Sequence, residues 1–447
     1  MKALCFIYKR SFMYSQLRNK LSSIYFNSSD LSEQQYKDSQ RKLILSGAST
    51  NILYALTTGS FLAGFLSYLG ASNEFCAIMG SVPQLGCILQ MFSPYVFEKL
   101  HNRKLLICIC CFIFRFSLGT VIFIPFIIKG TTAQLIVIAV IETMGFLVAG
   151  FVTPGYNNWN LSIAPVKNRG RYLALKDIIS MLSVALVTLG IGRLLDYHKS
   201  NGNILHGFTV MFILALILSV LDFFLTSSIR EPKVDYSDQK FTLRQVILVP
   251  LQDESFRPII LFLSMWSFAV QFSVNFIPVY MVDGLGLSYS FISIVAMIGN
   301  VIGIAATLFW GHLADKTTWS FLLRMSGGMI AVCYLGWFFV NLSTAVVLVP
   351  ILQVLLGCCN GAFTMASINL QFTVSPKVGR TAYLGVTSAV SCVISFGGTL
   401  LGSFFSKLLH NTKLNIGGFA IGNIQILFLI TFVTLVMSLT AKRKYNF

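Results

Sequence analysis

The chain has 447 residues, of which 55% are apolar and only 11% charged, where ordinary soluble domains carry roughly 25% charge. With a mean hydropathy of +0.75, most of the surface must face lipid, which excludes soluble enzymes, nucleic-acid binders and disulfide scaffolds. The net charge of +17 would suggest nucleic acid in a soluble protein, but here the placement of the charges is what informs.

The N-terminus reads MKALCFIYKR, and its apolar run from Ala3 to Tyr8 is shorter than a cleavable signal peptide needs, so no cleavage is expected. Residues 1–43 intersperse Lys9, Arg10, Arg18 and Lys20 with Phe6, Ile7, Phe12, Met13 and Leu17. That pattern suits a segment lying on an anionic membrane surface, with an unstructured tail as the alternative. Twelve apolar stretches follow, near 44–69, 74–97, 104–128, 132–155, 173–195, 206–229, 258–281, 287–311, 319–341, 344–369, 381–405 and 418–440. Each is long enough to cross a hydrocarbon core of about 30 Å as a helix. The expected fold is an all-α membrane protein of twelve transmembrane helices, here called spans 1 to 12. A basic segment (1–43) precedes one six-helix bundle (44–229), a linker (230–257) leads to a second (258–440), and a basic tail (441–447) ends the chain.

Lys and Arg divide unequally between alternate connections. One side holds 27, including both termini and the linker, and the other holds five: Lys129, Arg193, Lys199, Lys407 and Lys413. Basic residues mark the cytoplasmic side, so both termini are expected in the cytoplasm of a multi-pass plasma-membrane protein. Of the ten cysteines, all but Cys5 lie in or beside apolar runs. They read as small buried hydrophobes, and no zinc-ligand spacing is present, so no metal is expected.

The chain contains a weak copy of itself. Asn160-Leu161 precedes Gly170-Arg171 at the spacing at which Asn369-Leu370 precedes Gly379-Arg380, each joining the fourth span of a half to its fifth. Pro94 to Lys99 (PYVFEK) after span 2 answers to Gly311 to Lys316 (GHLADK) after span 8. Two six-helix halves with matching loops point to a repeat-built transporter.

At these residues the chain resembles the major facilitator superfamily. Gly311, Leu313, Ala314, Asp315 and Lys316 match the family's G-x-L-A-D-R loop, with Lys for Arg, while the N-terminal copy keeps Glu98 and Lys99. Trp159 to Lys176 looks like a loop common in bacterial members. The resemblance covers about residues 44–440 and implies two bundles rocking about a midplane site. It also implies acid-base contacts at the cytoplasmic ends that hold the outward-facing state. Glu98 with Arg171, and Asp315 with Arg380, are the expected latches, with Lys99, Lys316 and Asp177 beside them.

Ionisable residues inside spans are costly and normally have a partner or a function. Arg115 and Glu142 fall at similar depth on consecutive spans, so they are expected either to form a buried pair or to serve coupling through Glu142. Asp222, seven residues before Ile229, is expected near the cytoplasmic end of span 6 on the bundle's periphery, where it would snorkel or pair. Span 7 carries Ser264, Ser267, Gln271 and Asn275 at three- and four-residue intervals, a polar stripe that should face water or another helix, and Pro278 can bend its outer end. Together with Asn51, Tyr54, Gln84, Asn300 and Asn360, the residues Ser267, Gln271 and Asn275 are the candidate substrate contacts. Gly299 with Gly303, and Gly398 with Gly402, are small-xxx-small pairs suited to close helix packing.

The leading functional reading is a monomeric secondary transporter of a small organic solute, with protons as the candidate coupling ion. A facilitator or an efflux antiporter of amphipathic compounds is the alternative. From another class, a non-transporting sensor or lipid-moving relative remains open. No nucleotide loop occurs and no intramembrane His or carboxylate cluster suggests an enzyme, so neither a cofactor nor catalysis is expected.

Overall fold

A computed structural model describes residues 25, 32–97, 100, 102–165, 169–231, 243–314, 316–376, 380–409, 414–416 and 419–441. The twelve spans form α1a (Glu33–Thr57) with α1b (Gly59–Tyr68), α2 (Asn73–Leu89), α3 (Lys104–Thr120), α4 (Thr131–Ile163), α5 (Arg169–Ser200) and α6 (Ile204–Ser228). The second set is α7a (Arg257–Gln271) with α7b (Phe276–Val279), α8 (Tyr289–Ala314), α9 (Trp319–Phe338), α10 (Ala345–Val374), α11 (Arg380–Leu408) and α12 (Asn423–Ala441). Among the described residues, ten helices are individually long and apolar enough to cross a membrane. The divided α1 and the 17-residue α2 complete the twelve.

Several boundaries differ from expectation for local reasons. The first helix starts at Glu33, well before its apolar run, because Ser32 and Gln35 form a capping box there. Span 2 stops at Leu89 instead of running to 97. Pro94 has no N–H to offer the Gln90 carbonyl, so the chain turns and resumes as a short helix, Ser93–Phe97. Span 12 begins at Asn423 instead of 418, since β1 (Leu414–Ile416) and β2 (Phe419–Ile421) pair as a small antiparallel hairpin before it. The start of α3 is pinned by a residue far along the chain. Buried Glu231 accepts the amides of Arg103 at 2.9 Å and Lys104 at 3.4 Å, and burial holds its carboxyl above the usual range despite those donors.

Helices 1–6 pack among themselves, as do helices 7–12. Where they cross most closely, glycine removes the side chain that would stand between the backbones. A Cβ on Gly86 of α2 would fall on the Phe146 carbonyl of α4, and one on Gly150 would fall on the Gly86 backbone. The repeat-related crossing of α8 and α10 uses the same device. A Cβ on Gly303 would lie 3.0 Å from the Gly357 carbonyl, and one on Gly299 would lie 3.1 Å from that of Gln353. Gly86 and Gly303 each sit eight residues before the paired loops at Pro94 and Gly311, so the repeat extends from the loops into the packing. Gly398 and Gly402 serve the α7–α11 crossing, against the backbones of Phe268 and Phe272.

The two sets of six meet through α2 with α11 and α5 with α8, and the contacts gather at the face opposite the chain termini, called the far face below. There Asp196 of α5 accepts the amides of Tyr289 at 2.8 Å and Ser290 at 2.9 Å, at the start of α8. The Ser406 hydroxyl of α11 donates to Glu74 of α2 at 2.8 Å. Deeper in, Ser293 donates to the Thr188 carbonyl at 3.2 Å.

Candidate functional site

The first helix is interrupted in mid-membrane. Thr58 is extended (φ −134°, ψ −179°) and Gly59 takes φ +60°, a left-handed conformation that glycine alone adopts without strain. The Thr58 hydroxyl turns back to the Tyr54 carbonyl at 2.6 Å and makes no cap to α1b, whose first-turn amides have no intrahelical acceptors. Beside the break lies a cavity of about 220 Å³ between α1, α5 and α8, with Thr58, Ser60, Thr188, Ser293 and Asn300 as its polar lining. The rest of the wall is Tyr289 and apolar residues including Met181, Val184, Ile292 and Met297, and no charged side chain among the described residues lines it.

Tyr289 closes the cavity towards the far face. Its ring stacks on Phe61 of α1b with centroids 6.0 Å apart, the Lys199 ammonium lies 5.9 Å above it, and its amide is held by Asp196. Neither Tyr289 nor Asp196 was a sequence candidate. The available signal was an acid at the end of α5 facing the positive N-terminus of α8, which a count of basic residues alone passes over.

The sequence candidates are distributed unevenly around this cavity. Asn300 lines it. Tyr54 is partly exposed one turn before the break, with its ring edge-on to Phe146 of α4. Asn51 is exposed and donates to Ser180 of α5 at 2.6 Å. The polar stripe of span 7 meets helix α11 over most of its length. Ser264 bonds Ser391 at 3.3 Å, Asn275 donates to Thr399 at 3.1 Å, and the Gln271 carbonyl accepts from Thr399 at 3.1 Å. Ser267 is half-buried, Gln84 holds a buried carbonyl oxygen without a hydrogen-bond partner, and Asn360 is exposed on α10. Pro278 was expected to bend the outer end of span 7. The helix instead breaks earlier, over 272–275; Pro278 has no N–H for the Val274 carbonyl, which accepts from the Ile277 amide at 3.1 Å in a tighter turn.

Of the expected latch residues, Glu98, Lys99 and Asp315 lie outside the described residues, as does the side chain of Arg380. Arg171, Asp177 and Lys316 are exposed.

The expected Arg115–Glu142 pair does not form. Arg115 forms an ion pair with Asp222 of α6. Ser46 donates to the same carboxylate at 2.6 Å and Thr226 at 3.3 Å, and the guanidinium lies 5.9 Å from the Tyr156 ring centroid. Asp222 is therefore buried, 1% exposed, and not peripheral. Equal depth on consecutive helices left azimuth open, and α3 packs against α6 as well as α4. Glu142 is 0% exposed, and neither carboxylate oxygen has a hydrogen-bond partner among the described residues.

Solved structures with this architecture include the nucleoside transporter NupG, at TM-score 0.65 and 14% identity over 91% of this chain and 98% of that one. A D-xylose-proton symporter matches at TM-score 0.64 and 16% identity, over 92% of this chain and 97% of that one. A bacterial homologue of the iron transporter ferroportin in its inward-facing state matches at TM-score 0.68 and 14% identity, over 93% and 99%. At such identities the likeness establishes the fold. No curated protein sequence matches the chain. The family model of the Major Facilitator Superfamily matches residues 43–399, and with twelve spans, two matching halves and a cavity where those halves meet, the chain belongs to that superfamily.

Proposed function

We propose that the protein is a secondary transporter of the plasma membrane, rather than an enzyme, and carries a small uncharged or weakly charged organic solute by alternating access. The observation that carries this reading is the cavity at the break of α1, roofed by Tyr289 and lined by hydroxyls, one amide and no charge. The charge count of the loops supports cytoplasmic termini, so the far face is extracellular and the closed far-face seam makes this the inward-facing conformation. The expected contacts of Glu98 with Arg171 and of Asp315 with Arg380 are proposed to close the opposite end in the outward-facing state. The apolar wall supports an amphipathic solute over a strongly hydrophilic one.

A thermal-shift screen of uncharged and amphipathic solutes on the purified protein, followed by flux of each hit into proteoliposomes, tests this reading. A solute at 100 times its dissociation constant stabilises the protein by about 2.7 kcal/mol. Ala296→Phe, which fills the cavity from α8, should abolish that shift while leaving the unliganded melting temperature near the wild-type value. A hit whose shift and flux survive Ala296→Phe would place the solute elsewhere.

A further inference from the structure

Glu142 stands apart from the other acids of the membrane helices. Asp222 has Arg115, Glu74 has the Ser406 hydroxyl, Asp196 has two amides, and Asp177 and Asp283 are exposed. Among the described residues, Glu142 alone is a sealed acid with both oxygens unpartnered. It lies 11 residues into α4 from Thr131, roughly 16 Å along the helix axis, which is close to mid-membrane.

Among the described residues, the helices packed on α4 supply Glu142 with no countercharge. From α3 comes Arg115, already committed to Asp222, with Cys111 one turn away, and Ser117 lies against Gly145. From α2 come Gln84 and Cys87, neither a countercharge, and the Gln84 carbonyl oxygen is itself buried without a partner among the described residues. From α1 comes Tyr54, whose ring abuts Phe146, one turn along α4 from Glu142, with centroids 6.2 Å apart. An ionised carboxylate here would have neither an opposite charge nor a donor to replace its lost hydration. The neutral acid avoids that cost.

We propose that Glu142 is a proton-binding site, occupied in this conformation, and that Tyr54 is its door to the solute cavity. Tyr54 is 40% exposed and is tied by its carbonyl to Thr58 at the break of α1. A pivot at Thr58–Gly59 draws the Tyr54 ring off Phe146 and admits water to the carboxyl. The O–H bond then breaks, the proton leaves as hydronium, and the carboxylate keeps the electron pair; the reverse step reloads it. The same hinge borders the solute cavity, so proton release and solute exchange are tied to one movement. This inference takes its direction from the transporter reading, but the site can be tested without a solute.

Infrared spectroscopy of the full chain in lipid bilayers reads the proton directly. At pH 7 the wild type should show the carbonyl stretch of a protonated carboxyl, shifted by ¹³C-glutamate labelling and lost in Glu142→Gln. Glu231→Gln, at the other buried Glu carboxyl, should leave the Glu142 band in place. Glu142→Gln should keep the wild-type melting temperature, since the amide copies the neutral acid, and Tyr54→Ala should speed hydrogen–deuterium exchange of the band at least tenfold. Absence of a glutamate-sensitive band, its survival in Glu142→Gln, or a marked fall in melting temperature in that variant would overturn the site. Unchanged exchange in Tyr54→Ala would overturn the door. A correct band in a protein that passes no solute would leave the site standing and defeat the transporter reading; saturable flux without the band would do the reverse.

Discussion

Asp222→Asn should be among the most damaging single substitutions in the membrane core, with a loss of about 3–5 kcal/mol, because it leaves the Arg115 charge buried without its partner. Arg115 is 3% exposed and Asp222 1%, so water cannot take over the missing role. The carboxylate also gathers Ser46 from α1 and Thr226 from α6, so the pair ties three helices of the first half together. Adding Arg115→Gln to Asp222→Asn should recover part of the loss, since the cost lies in the stranded charge more than in the missing bond. Melting temperatures of the two single variants and the double variant in a common detergent check this. A double variant as unstable as the sum of the singles would show that the two residues act independently.

Asp196→Ala should shift the conformational balance without unfolding the protein. The carboxylate holds two amides at the N-terminus of α8 from across the seam, and hydrogen bonds to a charged group contribute about 1.5–3 kcal/mol each. These bonds join the halves only where the far face is closed, so their loss stabilises nothing and weakens one state selectively. A change of about 1.4 kcal/mol is tenfold in population, so the inward-facing share should fall by at least that factor. Spin labels at Leu175 on α5 and Phe309 on α8, both exposed, report the opening at the opposite end. Asp196→Ala should add a shorter distance to their distribution, and a distribution identical to wild type would show that Asp196 is no latch.

Much of this fold can be read from the sequence, because lipid forces a simple code. Apolar runs of sufficient length give the helices, and the paired loops at Pro94 and Gly311 give the repeat. Gly299 with Gly303 and Gly398 with Gly402 could be read as close crossings, since a glycine among large apolar side chains has few other uses. The breaks were harder to see. The stretch Thr57-Thr58-Gly59-Ser60 is short enough to be averaged away in a window of about 19 residues, and the positive φ of Gly59 shows where the helix stops.

The candidate site was legible residue by residue and not as an arrangement. Spacing placed Asn300 at mid-span, where it lines the cavity, but could not tell that Asn275 would be satisfied by Thr399. Depth along a helix can be counted from its ends, whereas azimuth depends on which neighbours it meets. For that reason Arg115 was matched to Glu142 when its partner is Asp222. The same error hid what distinguishes Glu142, since an acid with an assumed partner gives no sign of being alone. Asp196 and Tyr289 went unnoticed because the far face carries few charges, and the closure there rests on two carboxylates, Asp196 and Glu74, that accept from main-chain amides and a hydroxyl instead of from basic side chains.

The central claim, that one cavity opens to each face in turn, is tested most directly by a single cysteine at Ala296. This residue is exposed and lines the cavity. In a protein otherwise free of cysteine, Ala296→Cys should react with an impermeant thiol reagent in inside-out vesicles and, more slowly, in right-side-out vesicles. Asp196→Ala should reverse that preference. Labelling from one face alone, unchanged by Asp196→Ala, would contradict alternating access.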